Sequence, residues 1–159
     1  MKFSGMTVTL WSLLSVTACQ KPATPAQGAS DTPAAVEANA SLYKRLGGYD
    51  AIAAVTDDFL GRMLGDPKIA AYFENVDEAG TKRVRQMIVD QLCAATGGPC
   101  VYAGADMPTA HKGLHISETA FGVAAQYLGE SLDKFKVPAK EKDELIGIVA
   151  STKNDIVGK

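Results

Sequence analysis

The sequence predicts an all-α fold of about six helices, and three observations carry that expectation. Apolar residues recur at spacings of three and four along its second two thirds. Capping residues open those stretches and glycine or proline closes them. No segment alternates at period two for long enough to argue a strand.

Taken in order, Ser41-Leu-Tyr-Lys-Arg-Leu46 makes a short helix of a turn or two, stopped by Gly47-Gly48. Asp50 is the expected cap of a second helix in which Ile52, Val55, Phe59, Met63 and Leu64 share a face, and Gly65 ends it. Asp66-Pro67 couples a capping residue to proline at the first helical position and leads into Ile69, Tyr72 and Phe73. A longer helix runs from about Asp77 to Thr96, with Val84, Ile88, Leu92 and Ala95 as its stripe and Lys82, Arg83, Arg85 and Asp90 around it. Gly97-Gly98-Pro99 terminates it. Ser117 caps a helix carrying Phe121, Ala124, Ala125, Leu128, Leu132 and Phe135, which Val137-Pro138 breaks. The last helix extends from Pro138 to about Val157 and buries Leu145, Ile148, Val149 and Ile156.

The N-terminal residues do not belong to this pattern. Lys2 precedes a mostly apolar run, Met6 to Val16, too short to span a bilayer but of the size of a secretory signal core. Val16-Thr17-Ala18-Cys19 resembles the lipobox of bacterial lipoproteins, so residues 1–18 read as a signal peptide and Cys19 as the lipidated residue. An ordinary signal peptide with a chance cysteine is the alternative. Each acyl chain on Cys19 would contribute about 0.8 kcal/mol per buried methylene to membrane attachment. The location implied is the bacterial cell envelope, facing the periplasm. Gln20 rather than Asp after the cysteine leans toward the outer membrane. The rest of residues 19–40 is rich in Ala, Pro, Gln, Thr and Ser without apolar period, a tether unable to bury enough surface to fold. That leaves 41–159 as one folded domain, ample for a packed core. Over the whole chain 16 basic and 18 acidic residues nearly balance, and no basic patch is interleaved with aromatics, which argues against nucleic acid as a partner.

Both histidines, His111 and His115, fall in Met107-Pro-Thr-Ala-His-Lys-Gly-Leu-His-Ile-Ser117, between two long helices. A neutral imidazole is the commonest metal ligand. On spacing alone, a satisfied core or surface histidine is the better account of His111. Pro108 starts a single helical turn here, and Gly113 lets the chain leave it sharply.

Five features come in one order: Leu46-Gly-Gly48, Asp57-Asp-Phe59, Phe73, Gly97-Gly-Pro99, and Met107-x-x-x-His111-x-Gly113-x-x-Ile116-Ser117. The series resembles the group I truncated haemoglobins over residues 41 to 157. That family has a two-over-two helical sandwich around haem b, and its members bind diatomic gases at the iron. The resemblance implies that His111 is the proximal ligand, its other ring nitrogen donating to a backbone carbonyl. It makes Phe73 the aromatic that wedges the haem, and Tyr72, Tyr102, Met107, Leu114, Ile116 and Phe121 walls of the same pocket. His115 would run along the haem edge without a fixed role. Lys82, Arg83 or Arg85 could meet the propionates, or simply be a solvated helix face.

The distal side departs from the family's pattern. Many members place a tyrosine after the phenylalanine of the second helix, where this chain has Leu60. The long helix presents Val84, Met87, Ile88 and Gln91 where relatives carry glutamine or a ligating histidine. Without a donor, a gas that gathers negative charge on binding loses roughly 1.5–3 kcal/mol, about ten- to hundredfold in retention. Gln91 or a water would be the remaining donors, so nitric oxide or carbon monoxide suits this pocket better than stored oxygen. Met87 offers a thioether for the sixth coordination site, although methionine at helical spacing is commonly core filler. Cys93 and Cys100 bracket Gly97-Gly-Pro99 and make an even pair once Cys19 is lipidated, which reads as a disulfide in an oxidising compartment. Cys93 as a small buried apolar residue is the alternative.

Three functions remain open from the sequence. One is a lipid-anchored haem protein that binds a diatomic gas, served by an unidentified reductase, with nitric oxide dioxygenase- or peroxidase-like chemistry within reach. A second is a His/Met-ligated electron-transfer protein. The third is an envelope adaptor that keeps the fold without haem.

Overall fold

The computed structural model describes residues 40–159. The expected signal peptide, Cys19 and nearly all of the expected tether lie outside the described residues. Every regular element described is helical. In chain order these are α1 (Leu42–Arg45), α2 (Gly48–Gly65), α3 (Pro67–Ala70) continued by a 3-10 turn (Ala71–Phe73), α4 (Glu78–Ala95), α5 (Met107–Ala110), α6 (Glu118–Lys134), α7 (Ala139–Ser151) and α8 (Lys153–Ile156).

Capping chemistry sets most boundaries. The side chains of Asp66, Asp77, Asp106 and Ser117 each accept a backbone N–H of the first turn of α3, α4, α5 and α6. At the start of α2 the expected cap is displaced. Asp50 lies inside the first turn, and the cap is Gly47, with Gly47 and Gly48 at φ of 97° and 79°. A left-handed pair is what two glycines supply at little cost, and Asp50 is left to face the helix's positive end. The single C-terminal helix expected from Pro138 to Val157 breaks at Thr152. The Thr152 hydroxyl donates to the Val149 carbonyl at 2.7 Å, a local bond that competes with continuing the helix. Phe135, counted with the buried stripe of α6, is its exposed C-cap.

Helix α2 packs on both α4 and α6, α6 packs on α7, and α1 closes one end against α2 and α7. The main core joins Leu46, Ile52, Val55, Val89, Leu92, Leu128, Leu132 and Leu145. A smaller cluster gathers Leu60, Met63 and Ile69 where α2, α3 and α6 meet. The short α5 leans on α8. Among the described residues no helix is long and apolar enough to cross a membrane.

Candidate functional site

A cavity of about 540 Å³ opens between these helices, within the ~300–1,000 Å³ usual for cofactor and small-molecule sites. Helix α4 supplies Val84, Met87, Ile88 and Gln91 to its wall, one stripe at helical spacing, while Val89 and Cys93 on the adjoining face are fully buried. The 3-10 turn supplies Tyr72 and Phe73, α6 supplies Phe121, and α7 supplies Ile148 and Val149. Tyr102, Met107, His111, Leu114 and Ile116 complete it from the segment between α4 and α6. Val84, Ile88 and Phe73 are only half-buried, because part of their surface meets the cavity.

Local sequence explains how the imidazole is presented. Asp106 accepts the Thr109 N–H at 2.9 Å, Pro108 fixes the first turn of α5, and His111 is its C-cap. The His111 ring approaches the Met107 carbonyl oxygen through Nδ1 at 2.9 Å. A carbonyl only accepts, so Nδ1 carries a proton, and in the neutral ring the lone pair is then on Nε2. Gly113, at φ 82°, then turns the chain toward Leu114 and Ile116. Tyr102 is held in the wall by donating its hydroxyl to the Ala105 carbonyl at 2.8 Å. Its ring lies over Gly104, where a Cβ would come within 2.4 Å of it. Burial, with a smaller push from nearby Asp106, raises the Tyr102 phenol above its ordinary range.

The structure brings together all of the expected pocket residues but one. Leu60 does not line the cavity; it is buried in the cluster with Met63 and Ile69, and the neighbouring Phe59 reaches the wall instead. A step of one residue turns a helical side chain by about 100°, so this position cannot be read without the helix's phase. Gln91 lines the cavity, and its Nε2 donates to the Met107 sulfur at 3.2 Å. The basic residues separate clearly. Lys82 pairs with Glu78 at 2.6 Å, and Arg85 holds both oxygens of Asp57 at 2.7 and 2.9 Å. That fork keeps the Asp57 carboxyl below the usual carboxylate range. Arg83 lines the cavity and has no carboxylate partner among the described residues. His115 stands outside it, exposed, with φ 49° and its N–H on the Lys159 carbonyl at 2.8 Å. Cys93 and Cys100 are joined in the structure, their Cα atoms 5.8 Å apart.

Residue patterning missed Phe59, Met63, Ile148 and Val149 as wall residues. Their spacing marked them as buried, and only the empty volume beside them distinguishes wall from core. Chemically, the donor set is spare. Among the described residues no cluster of three or more His, Cys, Asp or Glu side chains forms. One imidazole whose neutral form would offer Nε2, in an apolar cavity, suits a metal that brings its own equatorial ligands.

The model of the bacterial-like globin family matches residues 41–157. The chain belongs to this family. The group 1 truncated haemoglobin of Mycolicibacterium paratuberculosis is 33% identical over 70% of this chain and 79% of its own length. A group 1 truncated haemoglobin of Chlamydomonas moewusii is 30% identical, covering 86% of this chain and 80% of its own. The truncated haemoglobin of Tetrahymena pyriformis, solved in its Fe(III) form, superposes with a TM-score of 0.70 at 28% identity over 76% of this chain and 100% of that one. The 2/2 haemoglobin of a Synechococcus species, solved with covalently attached haem, gives 0.68 at 30% identity over 74% and 98%. In this truncated globin, α2 and α4 with α6 and α7 are the four helices of the two-over-two sandwich, and the cavity lies among them.

Proposed function

We propose that this globin domain holds haem b in the cavity, with His111 Nε2 as the single protein ligand to iron, and reversibly binds a diatomic gas. The observation that carries the reading is the oriented imidazole: Nδ1–H on the Met107 carbonyl at 2.9 Å, in an otherwise largely apolar cavity. When bound, the haem iron supplies the coordination position at which a gas is held. The chain's own residues do the rest. The Met107 carbonyl fixes the ring's tautomer and raises the basicity of Nε2. Phe73 and Phe121 offer flat apolar contact, and Arg83, uncommitted to any described carboxylate, is the natural partner for a propionate.

The Val84, Met87 and Ile88 side chains have no N–H or O–H to offer a gas, and the Gln91 amide is turned toward Met107, with one of its two N–H groups on the sulfur. The proposed ligands are therefore nitric oxide or carbon monoxide ahead of stored oxygen, with nitric oxide or peroxide chemistry dependent on an external reductase. Met87 supports a second reading, because its thioether lines the same cavity and would give His/Met ligation suited to electron transfer. We place the domain on the periplasmic side of the bacterial envelope, attached through lipid on Cys19. The Cys93–Cys100 disulfide suits that oxidising compartment.

The visible spectrum tests this. The purified protein mixed with haem at micromolar concentration should show a Soret band that His111→Ala abolishes or strongly shifts. The ferrous form should take up carbon monoxide without first losing an internal ligand. Displacement of a sixth ligand, absent in Met87→Leu, would favour the electron-transfer reading. Failure to retain haem would leave only a helical adaptor.

A further inference from the structure

We propose that Gln91 is a positioning residue for His111, acting through Met107, and not a hydrogen-bond donor to the bound gas. The inference rests on the reading of His111 as the axial ligand. Two contacts meet on Met107. Its sulfur accepts from Gln91 Nε2 at 3.2 Å, and its carbonyl accepts from His111 Nδ1–H at 2.9 Å. The same carbonyl also takes the His111 backbone N–H at 3.2 Å. One residue thereby ties a long, well-packed helix, α4, to the imidazole.

The segment needs such a tie. Helix α5 has only four residues, too few for its own hydrogen bonds to make it rigid, and its neighbour is the equally short α8. Methionine is unbranched and rotatable, so an unheld Met107 would sample several rotamers. The carbonyl it carries sets both the rotation of the His111 ring and the strength of the Nδ1–H bond. Gln86 on the same helix shows the contrast. Its amide serves Tyr49 and Asp90, each at 2.9 Å, and has nothing to do with the cavity. Gln91 instead directs one amide N–H to a thioether, a weak acceptor whose contact acts mainly by fixing Met107 in place.

The test uses the full-length, haem-loaded protein and the variants Gln91→Leu, Met107→Leu and the double substitution, with helical content checked by circular dichroism. The readouts are the iron–imidazole stretching band of the ferrous protein and the rate of haem transfer to an acceptor apoprotein. Each single change should shift or broaden the band and speed haem loss by about two- to tenfold. The double variant should be no worse than the more severe single, because both remove one contact. The proposal is overturned if Gln91→Leu leaves the band unchanged while accelerating oxygen dissociation, which would make Gln91 a donor to the gas. Additive effects of the two singles would overturn it too. His111→Ala separates the layers. A His111-dependent band indifferent to Gln91 sinks this proposal alone, whereas a spectrum indifferent to His111 sinks the axial-ligand reading beneath it.

Discussion

Asp58 and Phe59 are neighbours on α2 and face entirely different partners. Phe59 turns to the cavity, while Asp58 collects cations where α2 meets α6. Arg62 Nε donates to it at 2.7 Å, Ser131 Oγ donates at 2.8 Å, and Lys134 Nζ is also in contact. Arg62 extends the network to Glu130 at 2.6 Å. These bonds, with Arg62 first, then Lys134 and Ser131, hold the Asp58 carboxyl far below the usual carboxylate range. A carboxyl depressed in the folded state contributes stability that is present above its unfolded pKa of about 3.9 and fades as pH falls toward the folded value. Asp58→Asn should therefore lower the melting temperature at neutral pH by a few degrees. The gap to the unsubstituted protein should shrink as pH drops from 4 downward. A gap independent of pH would show that packing, not ionisation, sets the cost. None of this was visible in the sequence, where Asp57-Asp58-Phe59 stood out only as part of a family resemblance. Arg62 stands one helical turn from Asp58, but Lys134 and Ser131, and the Glu130 that Arg62 also reaches, lie more than sixty positions from their partners. Leu60 was read as a pocket residue from the family's tyrosine position, although the helix turns it into the core.

Elements were easier to read than residues because their boundaries are local chemistry. Asp66-Pro67 and Ser117 announced two helices correctly, since a cap needs only the next three residues. Thr152 was less legible, because a threonine that ends one helix is unremarkable in another. The turn after α4 joins both scales. Gly97 has φ 81°, and a Cβ on Gly98 would meet the Tyr43 ring at 2.5 Å and Cys93 Sγ at 2.7 Å. The disulfide closes this turn across a sequence separation of seven. In the chain-entropy model a loop of that size contributes about 2–3 kcal/mol. The native protein should show no reactive thiol from this pair until reduced, and reduction should lower thermal stability by that amount. The Cys93→Ser, Cys100→Ser double variant should match the reduced protein and be indifferent to reductant. A reductant effect that persists in the double variant would place the stabilisation elsewhere.

At the scale of the molecule, the domain is built as a core with a cavity beside it. The main core links α1, α2, α4, α6 and α7 through residues such as Val89, Leu132 and Leu145, which are 0–2% exposed. The cavity side differs: Val84, Ile88, Phe73, Phe121, Ile148 and Val149 are half-buried and line the cavity, even where they also pack against the core. Stability should divide along the same line. Without haem, amides of α2, α6 and the end of α4 should stay protected by the core, while α5 and residues 98–117 should exchange quickly. Adding haem suppresses only those openings that release it, by a factor approaching one plus the ratio of free haem to its dissociation constant. At about a hundredfold excess over that constant, exchange in α5 should slow by roughly two orders of magnitude. Openings that leave haem bound, such as fraying at α1, should not change. Hydrogen-exchange mass spectrometry with and without haem reads this directly. Uniform slowing across all helices would mean that cavity and core open together as one unit, and that the division drawn here from burial does not govern the dynamics.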